Sequence, residues 1–176
     1  MPENNSSALE IGRKIAAGAA DPRDLVRAAL ARIKEADTDH AIFVRLLEER
    51  ALIQAEAAYI RARNGLSRSP LDGVPLAWKD NIDIAGAPTE AGSRLLRGRT
   101  PSRDAPIVVA AAQAGLVTIG KTNMVELAYS GLGYNPHTGT PRNPFDAQVA
   151  RLPGGSSSGS GIAVARGLVP IAIGTA

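Results

Sequence analysis

Apolar positions in the first third of the chain recur every three to four residues, and after residue 70 they gather into short continuous runs. Ile11 and Ile15 lie four apart within 8–18, and Gly18 stops that segment. Asp21-Pro22 reads as an N-cap followed by proline in the first helical turn, with the stripe Leu25, Val26, Ala29, Leu30 and Ile33 behind it. A short strand is expected at 41–44, then a long Ala/Glu/Arg helix over 46–63 ended by Asn64-Gly65. Beyond Pro70 the pattern changes. Val74 to Lys79 reads as a strand, and Asp80-Asn81 opens a turn toward Gly86. Asp104 is expected to cap a helix over 105–114 closed by Gly115, before a β-branched strand at 116–119. A helix is expected to begin near Asn123. Gly, Pro and Asn crowd 131–155, and a helix at about 160–166 and a strand at about 168–174 complete the pattern. Strands alternating with helices predict an α/β fold, a mixed β-sheet covered by helices. The organisation expected is a helical N-terminal region, 1–69, followed by an α/β core, 70–176. No internal repeat is visible.

Composition narrows the chemistry. The 176 residues can bury a core, and with 3% aromatics that core must be built from Ala, Leu, Ile and Val. The absence of Cys removes disulfides, thiolate zinc sites and a cysteine nucleophile. Two histidines, His40 and His137, give little material for a metal site, so neither metal nor organic cofactor is expected. The formal charge of +3 is small. Arg94, Arg97, Arg99 and Arg103 bunch together, and the plainer reading is a solvated surface. The first residues lack the basic start and apolar core of a signal peptide, and no uncharged apolar run reaches membrane-spanning length. A cytoplasmic protein is expected.

The richest segment is Gly154-Gly155-Ser156-Ser157-Ser158-Gly159-Ser160-Gly161, which leads into Ile162-Ala163-Val164-Ala165. It offers free backbone N–H groups, hydroxyls and unusual φ/ψ freedom at the start of a helix, a polar pocket for developing negative charge. A flexible linker of this composition would not sit between the turn-rich Arg142-Asn143-Pro144-Phe145-Asp146 and a long hydrophobic segment. Two motifs match by letter and fail by context. Gly115-Leu116-Val117-Thr118-Ile119-Gly120-Lys121-Thr122 fits the phosphate-binding loop, but a helix precedes its first Gly and its middle is strand-like. Gly155-Ser156-Ser157-Ser158-Gly159 fits a nucleophile elbow at Ser157, yet no His follows it and the last carboxylate is Asp146.

With almost no histidine, a serine hydroxyl needs another base, and a desolvated lysine can serve. Lys79 follows Val74-Pro75-Leu76-Ala77-Trp78 at the end of an apolar strand. Position alone leaves both snorkelling and catalysis open.

The ordered segments Pro70-Leu71-Asp72-Gly73-Val74-Pro75, Lys79-Asp80-Asn81-Ile82, Gly120-Lys121-Thr122-Asn123, Arg142-Asn143-Pro144 and Gly154 to Ser160 resemble the amidase signature family over nearly everything after residue 40. The resemblance implies amide hydrolysis to a carboxylate and ammonia or amine, through an acyl-enzyme and a Ser-Ser-Lys triad. It places the base on Lys79 and the bridging serine, preceded by a cis peptide, on Ser156. It puts the nucleophile in a Gly-Gly-Ser motif shortly after Gly174-Thr175, beyond Ala176, where relatives often carry Asp. Ser130 in Leu127-Ala128-Tyr129-Ser130-Gly131 is a candidate amide-substrate contact. The implied partner is a small-molecule amide, and a homodimer is allowed. A second reading is the A subunit of glutamyl-tRNA amidotransferase, the one case in which nucleic acid is a partner. A third is a truncated, non-catalytic module. The 176-residue chain alone is expected to be inactive and poorly stable, with Lys79 incompletely buried.

Overall fold

The helices begin and end largely where local chemistry dictates. The computed structural model describes residues 6–146 and 148–175. Helix α1, Ala8–Ala16, starts at a reciprocal cap: Ser7 Oγ accepts from Glu10 N and the Glu10 carboxylate accepts from Ser7 N. Helix α2, Pro22–Ala36, starts as expected, with Asp21 accepting from Arg23 N and Pro22 in the first turn. Strand β1, Phe43–Leu46, lies two residues later than the expected 41–44, and α3 is Glu48–Arg63. Strand β2 is Pro75–Lys79, α4 is Pro106–Gln113, β3 is Val117–Thr122, α5 is Ser158–Ala165 and β4 is Ile171–Ile173.

Two local expectations fail. Asp104 does not cap α4, whose N-cap is Ala105 without a side-chain bond. Its carboxylate is taken by a bidentate contact from Arg50 and by Ala85 N at 2.8 Å. A charged, two-pronged partner outcompetes a single cap bond. No helix begins at Asn123 either. That side chain donates to the carbonyls of Ala41, Thr138 and Gly139, which ties three segments together. Only a 3₁₀ turn at Glu126–Ala128 follows, with Leu127 and Ala128 at positive φ.

The strands form one mixed sheet in the order β1-β3-β2-β4. β2 runs parallel to both neighbours, and β1 is antiparallel to β3. One face packs Val26, Leu30 and Ile33 of α2, Ala51 and Ala55 of α3 and Ile162 of α5 against Ala77, Val117 and Ile119. The opposite face buries Leu76 and Trp78 with Ile82, Ile84 and Val108 of α4. Alternation along β2 therefore aims Lys79 at the α5 side.

A bulge in β3 refines this. Leu76 pairs with Thr118 but Ala77 pairs with Gly120, leaving Ile119 without a partner in β2. The extra residue reverses the faces of the residues after it. Lys121 consequently reaches Ile82 O, on the Trp78 side, while Thr122 meets Ser160 on α5. Gly120 leaves room for β1, since a side chain there would strike the Arg45 carbonyl. The letters that mimic a phosphate loop are thus a strand, as their composition predicts.

Candidate active site

The Gly/Ser segment folds back so that the N-terminus of α5 meets the end of β2. Gly155 N donates to Gly131 O at 2.8 Å, and Val125 N donates to Ser156 O at 3.0 Å. A side chain at Gly159 would overlap Ile42 O and Asn123 N, so only glycine allows this approach. The Gly155–Ser156 peptide is cis.

These contacts bring Lys79 and Ser156, 77 residues apart in sequence, into one hydrogen bond: Lys79 Nζ lies 2.6 Å from Ser156 Oγ. Lys79 has no exposed surface, contrary to the expectation of incomplete burial, and Ser156 is 8% exposed. The cover comes from β4 and the residues after it: Lys79 Nζ also donates to Thr175 O at 3.1 Å and Thr175 Oγ1 at 2.9 Å. Desolvation holds the Lys79 amine below the ordinary lysine pKa. Such a group can take a proton from a serine hydroxyl, and Ser156 supplies a serine hydroxyl in reach, at 2.6 Å.

Around this pair lies a set of polar groups that belong to the ordered motifs but to which the sequence assigns no role. Asn81 Nδ2 donates to Thr175 Oγ1 at 3.1 Å. Thr122 Oγ1 donates to Trp78 O and shares a 2.7 Å bond with Ser160 Oγ, which reaches Ile173 O. On the other side of the sheet, Lys121 Nζ contacts Asp80 Oδ1 at 3.1 Å, Thr89 Oγ1 at 2.7 Å and Ile82 O at 2.9 Å. Burial pushes Asp80 up and Lys121 down, and their mutual attraction opposes both shifts. This pair anchors the turn that follows Lys79. The neighbouring letters Lys79-Asp80 and Gly120-Lys121 were its only sequence signal.

Ser130 is placed differently. Its hydroxyl accepts from Leu132 N at 3.2 Å, a local turn bond, and it is half-buried beside the Gly155 loop. Nothing joins it to Lys79 or Ser156 among the hydrogen bonds of the described residues. The same set contains no cluster of potential metal ligands and no helix long and apolar enough to cross a membrane. In the arginine cluster, Arg99 is paired with Asp83, and Arg94, Arg97 and Arg103 are exposed.

Comparison with known proteins supports the family resemblance. The A subunit of glutamyl-tRNA(Gln) amidotransferase from Anaeromyxobacter dehalogenans (strain 2CP-C) is 43% identical over 94% of this chain and 33% of its own length. Its counterpart from Myxococcus xanthus (strain DK1622) is 43% identical over 95% of the chain and 34% of its own. Native peptide amidase from Stenotrophomonas maltophilia superposes with a TM-score of 0.86 at 36% identity, over 96% of this chain and 35% of that one. A bacterial aryl acylamidase of the amidase signature family gives 0.85 at 27% identity, over 98% and 36%. The chain therefore spans about a third of the length of the curated relatives it matches. The family model described as Amidase matches residues 24–176, and the chain belongs to this family, the amidase signature enzymes.

Proposed function

We propose that this chain carries the base and the relay serine of a Ser-Ser-Lys amidase, with the acylated serine supplied by sequence following Ala176. The observation that carries this reading is the 2.6 Å contact between a fully buried lysine and Ser156. In the forward step the nucleophilic serine gives its proton to Ser156 Oγ as its oxygen attacks the amide carbonyl carbon. Ser156 passes its own proton to the neutral Lys79 amine. Collapse of the tetrahedral adduct breaks the C–N bond, and the proton returns through Ser156 to the departing nitrogen. Water then repeats the sequence on the acyl-enzyme to release the carboxylate. Ser130, at the edge of the Gly155 loop, is proposed to contact the amide.

The test is labelling by a serine-directed fluorophosphonate together with turnover of aliphatic amides, aryl amides and glutamine. A full-length protein should label once and turn over an amide, and its Lys79→Ala variant should do neither. The 176-residue chain should be inert. Stoichiometric labelling of residues 1–176 with turnover would show that a serine already present, such as Ser157 or Ser158, is the nucleophile.

The 43% identity to amidotransferase A subunits favours a second reading, release of ammonia from glutamine for transfer to misacylated tRNA. Glutaminase activity that appears only with partner subunits would select it. Free amide hydrolysis by the protein alone would select a plain amidase. The third reading, a non-catalytic module, predicts no activity in any form.

A further inference from the structure

Ser157 occupies the N-cap position of α5, where a serine normally accepts from a backbone N–H of the first turn, yet it makes no cap bond. Its hydroxyl is turned elsewhere. Ser157 Oγ donates to Thr175 O at 2.9 Å and accepts from Thr175 N at 3.1 Å, so one side chain grips both polar groups of that residue's backbone. Gly174 permits the approach, because a Cβ there would come within 2.6 Å of Ser157 Oγ.

Thr175 in turn completes the surroundings of Lys79. Its carbonyl accepts from Lys79 Nζ and from Ser157 Oγ, which occupies both lone pairs. Its hydroxyl oxygen accepts from Lys79 Nζ and from Asn81 Nδ2, again using both. The carbonyl has no hydrogen to give, and because the hydroxyl oxygen receives the Lys79 N–H, its own O–H points away from the amine. A neutral amine here spends its two N–H bonds on Thr175, and its lone pair then faces the remaining neighbour, Ser156 Oγ at 2.6 Å. The ammonium form places its third N–H on the same axis. The proton thus enters and leaves along the Ser156 direction with no rearrangement of the other contacts.

We propose that Ser157 is a positioning residue that acts through Thr175 to aim the Lys79 amine at Ser156. The inference rests on the Ser-Ser-Lys reading above and assigns Ser157 a role other than nucleophile.

The experiment uses the full-length protein, a fluorophosphonate as covalent probe and 4-nitroacetanilide as amide. Ser157→Ala should lower kcat and the labelling rate about 100-fold, the scale of a misplaced reacting group, with KM little changed. Thermal unfolding should stay close to that of the parent. Thr175→Val, which keeps the shape and loses the hydroxyl, should show the same kcat loss, and Thr175→Ser should recover most of it. That pair decides the matter if Ser157→Ala fails to fold. A Ser157→Ala enzyme with unaltered kcat, or with its loss confined to KM, would overturn the inference while Lys79→Ala and Ser156→Ala are dead. Equal losses in Thr175→Val and Thr175→Ser would overturn it as well. A parent protein that does not label, or active Lys79→Ala and Ser156→Ala variants, would bring down the Ser-Ser-Lys reading and the inference with it.

Discussion

Lys79 has a testable titration. Its pKa is lowered by burial, so the neutral amine forms at lower pH than for a solvated lysine. If it is the base, kcat/KM rises with pH through that lowered value, and the ascending limb lies below the ordinary value of about 10.4. An ascending limb at or above that value would remove Lys79 from the role of base. Lys79→Arg, which stays protonated, should lose at least about 100-fold in kcat, the usual scale of general-base catalysis. The same shift has a stability sign. Between the lowered folded value and the unfolded one, the unfolded chain binds more protons, so the contribution of Lys79 to stability increases as pH rises across that window. Lys121 is the contrasting lysine, equally buried but held by Asp80, Thr89 and Ile82 O. Lys121→Met would leave the Asp80 carboxylate buried without its cation, at a cost of about 3–5 kcal/mol. Urea unfolding measures this, and a variant as stable as the parent would show that the pair adds little.

At the scale of elements, Gly12 separates propensity from packing. It sits inside α1, where alanine would normally gain about 1 kcal/mol. Here a Cβ would overlap the carbonyl oxygen of Pro70, a backbone atom that cannot swing away. Gly12→Ala should therefore destabilise by about 1–3 kcal/mol, as overpacking does. A raised melting temperature would show that α1 shifts freely from the Pro70 turn. This also marks what the sequence reveals at this level. The Asp21-Pro22 start, the α2 stripe and the all-buried β2 follow from local chemistry, and they lie where the pattern puts them. Asp104 and Asn123 depart from it because their partners, Arg50 and Ala41, are distant in the chain. Motif order led to Lys79 and Ser156, whereas Thr175, 96 residues from Lys79, and Ser157 acquire their places only through the return of β4. The bulge at Ile119, which decides the faces of Lys121 and Thr122, is marked in the sequence only by Gly120 after the β-branched Val117-Thr118-Ile119.

At the scale of the molecule, the boundary near residue 70 separates two compositions that share one core. β1 comes from the N-terminal 69 residues and pairs with β3, and α2 and α3 cover the face of β2 and β3. Val26, Leu30, Ile33, Ile42 and Phe43 all belong to the cluster that buries Ala77, Val117 and Ile119. Burial of each such large side chain contributes about 1.5–3 kcal/mol, so their loss removes roughly 8–15 kcal/mol. That matches or exceeds the net stability of a typical domain, about 5–15 kcal/mol. Residues 70–176 expressed without the first 69 should therefore not fold, because one sheet face would be bare and β3 would lose its antiparallel neighbour. The end of β2 that presents Lys79 would then have no fixed geometry. Far-UV circular dichroism and amide proton dispersion measure the outcome. A cooperative melt with well-dispersed amide signals from 70–176 would show that the N-terminal helices are an accessory layer. A disordered fragment would make them part of the support that holds Lys79 against Ser156.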